Sequence, residues 1–448
     1  MHIQNISKNF RKLLSTSLVH WSIAFSATTI IVKILRFLSV TYLATILTPL
    51  EFGQFGLAFA VITALGSFGC AGVVERTVEQ LADYKTKGSE YILYSRQNGI
   101  LLMNVIFWTL ATASIFCLNF PVAETAEILN LLLAIIAGSA MAMMTQQNFV
   151  LLQENKMVRS IFLSAAVGGG ISLGIALAVY LNGGLTQIML AAAIFAWAGQ
   201  VLALWGDWPK IKWLPFNDWP QQLIALSPYY LVAIIGWMGG YGFNVLVGSI
   251  FDTNEVAIFT FLFTLCAVLQ IVSSSFNSVW SPRFYRLYNS GQNALLEAQA
   301  ILAYKILTVV MAGVACCLII SLPLLSTILP NVDEYVDDPI KFALLCAGMI
   351  LVLPVMHVNN YMYVTKSRMA LLWSTFLPTV FGITFIFFMS NALGDLWLYA
   401  GYAIWMFFRS WASFMSLRRI IDVTVPWIWI VSAAIITVAA GFITKIIT

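Results

Sequence analysis

Charge is what this sequence has least of. Only 9% of its 448 residues are Asp, Glu, Lys or Arg, against 60% hydrophobic. A soluble domain carries about 25% charged and 45–50% apolar residues. The shortage excludes a soluble enzyme, a nucleic-acid-binding domain and a disordered chain, because a surface facing water needs polar groups. Cysteine is sparse too. Cys70, Cys117, Cys266, Cys316, Cys317 and Cys346 all lie in apolar stretches and none forms a C-x-x-C pair, so they read as packing residues rather than disulfides or metal ligands. Also missing are G-x-x-x-x-G-K-[ST], metal-ligand spacings and G-x-S-x-G. The chain should therefore burn no ATP itself, and no cofactor is expected.

What it has in abundance is long apolar runs. A helix crossing hydrocarbon needs about 20 such residues. That ruler gives spans near 20–46, 51–74, 96–119, 125–150, 159–181 and 184–206, then 223–250, 255–281, 299–327, 339–363, 369–390 and 394–416. A thirteenth runs over 425–445. The reading is an all-α polytopic membrane protein with twelve core spans in two lobes. The N-lobe is 1–206, a connector 207–222, the C-lobe 223–416, and a C-terminal tail 417–448 carries the extra span. The N-terminal run is too long for a secretory h-region and should stay as the first span.

Basic residues test the map. Lys8, Arg11 and Lys12; Arg76, Lys85, Lys87 and Arg96; Lys156 and Arg159; Lys210 and Lys212; Arg283 and Arg286; Lys366 and Arg368; and Arg418 and Arg419 all fall on one side. The opposite loops carry acid instead, as in Asp333, Glu334, Asp337 and Asp338. The positive-inside rule then puts the N-terminus in the cytoplasm, although Lys445 ends up outside. The outer loops are short, so the mechanism must lie within the bilayer.

The nineteen acidic residues all fall in loops or within a turn or two of a span end, but some cations do not. Lys33 and Arg36 lie about 20–24 Å into the first span at 1.5 Å per residue and share one helix face. Arg409 sits midway along span twelve, and Lys305 one to two turns inside span nine. A cation at the bilayer centre costs about 2.5–3.5 kcal/mol and calls for a partner or water. With no acid mapped to that depth, a hydrated, positively lined cavity that attracts an anion is the functional reading. Snorkelling, or bonding to helix-end carbonyls, is the bland one, and it weighs most for Lys305. Other polar residues at depth are Gln146, Gln147, Asn148, Asn244, His357, Asn359 and Asn360. Amides often act as interhelical glue, and His357 without an acid beside it argues weakly for an acyltransferase. Glycines crowd spans five and seven, and Pro228, Pro323, Pro354 and Pro378 interrupt later spans, supplying close approach and bend points. Tyr229, Trp237 and Tyr241 of span seven could stack on sugar rings or serve as packing and belt residues.

The two halves share a short repeat. Leu47-Thr-Pro-Leu-Glu51-Phe-Gly-Gln-Phe55 precedes the second span, and Phe251-Asp-Thr-Asn-Glu255-Val-Ala-Ile-Phe259 the eighth. Two parallel-related halves are a common transporter plan. The stretch Arg36 to Gly56, with Tyr42-Leu-Ala, Leu47-Thr-Pro49-Leu-Glu51-Phe-Gly53, and more weakly Trp280-Ser-Pro282-Arg283-Phe-Tyr285-Arg286, resembles Wzx-type polysaccharide flippases of the MOP transporter superfamily. The thirteenth span departs from their usual even count.

The resemblance implies a MOP-type two-lobed bundle alternating between cytoplasm-open and outward-open states in the bacterial inner membrane. Its substrate would be a polyprenyl-pyrophosphate-linked oligosaccharide destined for O-antigen, capsule or exopolysaccharide. A polysaccharide polymerase and a chain-length regulator would be partners, alongside membrane lipids and no nucleic acid. Lys33, Arg36 and Arg409 become candidates for diphosphate contact. Arg76, Arg283 and Arg286 at the mouth, with Lys305, His357, Asn359, Asn360, Tyr229, Trp237 and Tyr241, become candidates for the cavity. The rival readings are a drug exporter of the same superfamily, which calls for a buried carboxylate; a lipid II flippase; and a membrane polymerase or acyltransferase, which calls for large loops or an intramembrane acid–base set.

Overall fold

The computed structural model describes residues 17–119, 125–154, 156–205, 208–212, 219–329, 331–365 and 367–447. The expectations placed on Lys8, Arg11, Lys12 and Lys366 lie outside them. Among the described residues every regular element is a helix. In chain order these are α1 (Ser17–Ala44), α2 (Pro49–Phe68), α3 (Val73–Thr86), α4 (Glu90–Asn119), α5 (Thr125–Gln153), α6 (Met157–Tyr180) and α7 (Leu185–Ala203). Then come α8 (Trp219–Met238), α9 (Phe243–Ile250), α10 (Thr253–Asn289), α11 (Asn293–Ile328), α12 (Asp333–Val336) and α13 (Pro339–Leu351). The last are α14 (Leu353–Val364), α15 (Arg368–Leu393), α16 (Leu396–Arg418) and α17 (Trp427–Ile447). Nine of the described helices are long and apolar enough to cross a membrane, and a tenth span is made by α8 and α9 together. The protein is a multi-pass membrane protein. Helices α1, α4 and α16, of 28, 30 and 23 residues, coincide with the first, third and twelfth sequence-derived spans.

Several boundaries differ from the hydropathy reading, each for a physical reason. The segment expected as a loop after the second span is helical: α3 is amphipathic and polar, so hydropathy alone passes over it. Span seven is not continuous. Its two helices meet at 61° across Gly239–Gly242, where glycines forgo helix propensity. Span ten breaks at Val352, just before Pro354, whose ring cannot donate to the helical ladder. Span eight runs on as the 37-residue α10, about 55 Å long, so Arg283 and Arg286 stand on a helical extension. Helix α17, the thirteenth expected span, holds Lys445 in its last turn, 3.3 Å from Asp338, the N-cap residue of α13. That ion pair explains how a lysine ends the span on the acidic side.

The chain divides into two compact units. One holds Val61–Ile224 with the chain up to Ser39; the other holds Val40–Ala60 with Ala225–Thr448. In the first unit α6 and α7 approach at backbone distance. A Cβ at Gly170 or Gly174 would fall 2.7 or 2.6 Å from a carbonyl oxygen of α7, and one at Gly199 2.3 Å from Ala166 O. Small residues let membrane helices pack this closely. Helix α1 leans on the same α6: Ser39 Oγ donates to Ser172 O at 3.2 Å, and Gly168 accommodates Val32.

In the second unit the N-terminal half of α2 lies against α10. Phe52, Phe55 and Phe59 are buried, and a Cβ at Gly53 or Gly56 would strike Thr253 O at 2.1 Å or Thr260 Oγ1 at 2.3 Å. The short repeat has a local cause as well. Thr48 Oγ1 accepts from Glu51 N and Glu51 Oε2 accepts from Thr48 N, a capping box with Pro49 at the first helical position. In the second copy Asp252 caps α10 through Glu255 N at 2.9 Å.

Candidate functional site

The break in span seven brings a tyrosine and an arginine of α16 against irregular backbone in the second unit. Gly239 to Gly242 lie roughly 12–17 Å before the end of α9, near the middle of a hydrocarbon slab about 30 Å thick. Irregular backbone at that depth must be satisfied by protein or water. Tyr402 of α16 supplies one partner, donating its hydroxyl to Gly239 O at 3.0 Å. Arg409, two turns further along α16, lies against the same glycine: a Cβ built on Gly239 falls 3.2 Å from Arg409 Nη1. Its Nε is enclosed and makes no hydrogen bond. Gly236 is exposed, and a Cβ there would meet nothing within 4 Å, so the break has an open flank.

The aromatics of the break are engaged elsewhere. Trp237 Nε1 donates to Ala60 O at 2.9 Å, and its ring lies 2.4 Å from where a Gly242 Cβ would sit. Tyr241 packs edge-on against Phe59 and Phe263, at 4.8 and 5.2 Å between centroids. Asn244 donates to Gly56 O at 2.9 Å. These contacts brace the bend, and Tyr229 is half-buried on α8.

Lys33 and Arg36 belong to the first unit and are both half-buried. Val32 and Ser39, seven residues apart, touch α6, and Arg36, four residues after Val32 and three before Ser39, shares that helix face. Lys33 lies three residues, about one turn, before Arg36.

The remaining candidates are spread out. Arg76 sits on α3 and donates to Gln222 Oε1 at 2.7 Å. Arg283 donates to Gln299 Oε1 at 2.9 Å, and Arg286 is exposed. The Lys305 ammonium lies 5.6 Å from the centre of the Trp429 ring, a cation–π contact. His357 is enclosed by Phe284, Tyr304 and Tyr361 rings, so it belongs to aromatic packing rather than to a wet wall. Asn360 ties helices together, accepting from Ser281 Oγ at 3.2 Å and donating to Asn277 at 3.3 Å, while Asn359 Oδ1 is buried without a partner.

Hydropathy passed over one charged residue. Lys341, in the first turn of α13, is buried among acids: its ammonium lies 3.2 Å from Glu255 and 2.6 Å from Asp395. Tyr399 donates to Glu255 Oε1 at 2.6 Å, and its ring lies 5.4 Å from the ammonium. A cation at a helix N-terminus opposes the helix dipole, and two carboxylates offset that. Burial opposes ionisation of Asp395, yet the Lys341 hydrogen bond and charge, with the Leu396 N–H, hold its carboxyl below the usual value. The signal was present in Pro339-Ile-Lys341, a lysine one turn inside an apolar run that no loop could claim.

No protein-family model matches the sequence, and no curated protein matches it. Solved structures do match the fold. The inward-closed lipid II flippase MurJ superposes with a TM-score of 0.66 at 14% identity, covering 95% of this chain and 98% of that one. An inward-facing multidrug resistance MATE family transporter of the MOP superfamily gives 0.62 at 15%, covering 89% and 97%. The eukaryotic MATE transporter AtDTX14 gives 0.57 at 12%, covering 94% and 97%. The chain has the all-helical MOP-type fold. These neighbours are transporters and flippases, and at such identities they speak to architecture alone.

Proposed function

We propose that the protein is a flippase that carries a polyprenyl-diphosphate-linked oligosaccharide across the bacterial cytoplasmic membrane by alternating access, for cell-surface polysaccharide assembly. The observation that carries this reading is Arg409: a guanidinium at mid-membrane depth, beside a broken helix with an open flank, and with no carboxylate among its described contacts. A diphosphate is a hydrated dianion, and a planar guanidinium suits its oxygens. Lys33 and Arg36 supply a second cationic step in the other unit. Binding at such steps must be loose enough to release the headgroup, which several dispersed cations achieve better than one tight cage. Arg76, Arg283 and Arg286 are polar-end residues that gather anionic headgroups, and a polymerase and chain-length regulator would take the product.

A drug exporter would call for a carboxylate able to exchange a proton or sodium ion. The buried Glu255 is instead committed to Lys341 and Tyr399. The test is complementation of a flippase-deleted strain. Lys33→Ala, Arg36→Ala and Arg409→Ala should each lower surface glycan tenfold or more at equal membrane levels, and Arg409→Lys should keep part of it. Full export by all three alanine variants would refute the reading. Export of cationic dyes, with no restored glycan, would favour the exporter.

A further inference from the structure

On one flank of the second unit α13, α16 and α17 leave a groove of about 710 Å³. Every side chain lining it is apolar; Ala403 and Ala434 are buried within it, and Ile435 and Phe442 stand exposed beside it. An apolar cleft holds no water for want of hydrogen-bonding groups, so its natural filling is hydrocarbon. It follows α17 from Val431 to Phe442, about 17 Å.

The groove does not end blindly. Ile404 and Phe408 of its wall continue along α16 through Trp411, Met415 and Arg418, a spacing that keeps all five on one helix face. Trp411 and Met415 are 47% and 39% exposed, and Arg418 and Arg419 are exposed. Beside this stripe Trp427 packs on Phe407 and Phe414, closing the gap between α16 and α17 at the arginine end. Among the described residues neither arginine side chain has an ion pair or hydrogen bond. An apolar track thus leads from the groove to two free guanidiniums.

The dimensions select an occupant. Ile404 lies fourteen residues from Arg418, about 21 Å. One leaflet of hydrocarbon is about 15 Å deep, which leaves room for a glycerol and phosphate below it. We infer that the groove holds one acyl chain of an anionic phospholipid whose phosphate rests on Arg418 and Arg419. A polyprenyl tail, being much longer, would overrun this track, and a zwitterionic lipid would gain little from the arginines.

The experiment is native mass spectrometry of the purified full chain, offered phosphatidylglycerol or phosphatidylcholine with identical chains. One phosphatidylglycerol should be retained in preference, by about fivefold for each arginine, since a basic residue at a membrane surface contributes roughly that factor. Ala439→Phe fills the groove from an exposed position, so the packing of α17 survives. Retention should fall tenfold or more in that variant. Replacing Arg418 and Arg419 together by Gln should leave chain retention intact and remove the headgroup preference. Equal retention of both lipids by the unaltered chain would overturn the inference, as would unchanged retention by the filled groove. Displacement of phosphatidylglycerol by an equimolar polyprenyl phosphate would overturn it too. None of these readouts uses glycan export, so they stand apart from the flippase reading.

Discussion

Lys341 and Arg409 are cations of the same unit, each lodged among helices, and they are surrounded in opposite ways. Lys341 meets two carboxylates and a phenol at the ends of α10, α13 and α16. Arg409 meets a glycine, a helix break and the neighbouring Tyr402, with its Nε enclosed and unbonded. A cation matched by acids is a fastener: its charge is spent within the fold. Arg409 has no carboxylate among its described contacts, and on the function proposed above its charge is kept for an anionic headgroup. Composition cannot separate the two, since both are one basic residue in an apolar run.

The sharpest way to break the comparison is to remove each cation and read stability. Lys341→Ala should destabilise the protein by about 3–5 kcal/mol, because it leaves a buried carboxylate without its partner. The measure is thermal or denaturant unfolding in detergent. Replacing Lys341 by Met and Glu255 by Gln together should recover much of the loss, since no charge is then stranded. A Lys341→Ala protein as stable as the parent would show that the cluster fastens nothing. Next in size is Gly242→Ala. Its Cβ would enter the Trp237 ring at 2.4 Å and strain the Trp237–Ala60 bond, an overpacking of about 1–3 kcal/mol. If stability is unchanged, the bend is softer than its contacts suggest.

The spans were legible because crossing hydrocarbon demands about 20 apolar residues, and that demand is written in composition. Breaks were half legible: Pro354 and the glycines of span seven announced bends, but hydropathy treats Gly239–Gly242 as one more apolar stretch. Polar α3 was invisible to the same ruler. The Leu47–Gly56 motif was read from resemblance, and its physical content emerged only with coordinates: Thr48 and Glu51 cap α2, while Gly53 and Gly56 admit α10. Lys33, Arg36 and Arg409 could be located by depth alone. The directions of His357 and Trp237 could not, because a helical face is assigned by its neighbours, and long-range partners such as Ala60 for Trp237 leave no local trace.

Arg409→Met, by contrast with Lys341→Ala, should not lower the unfolding free energy, because it removes a cation that has no ion pair to lose and strands no carboxylate. Glycan export should nevertheless disappear. Loss of stability as large as that of Lys341→Ala would erase the distinction between the two cations.

The smallest effect separates the members of the fastener. Asp395 is about half exposed, and Lys341 holds its carboxyl below the usual aspartate value of about 3.9. A depressed folded-state value means that the carboxylate adds stability at pH above about 4. That contribution is lost as pH falls through the lower folded-state value, when the proton displaces the ion pair. Exposure keeps it small, within the 0–1 kcal/mol that solvent-facing pairs contribute. Melting curves of the parent and Asp395→Asn should therefore differ slightly at pH 6 and converge toward pH 3. Indistinguishable curves already at pH 6 would mean that Glu255, rather than Asp395, carries the ion pair with Lys341.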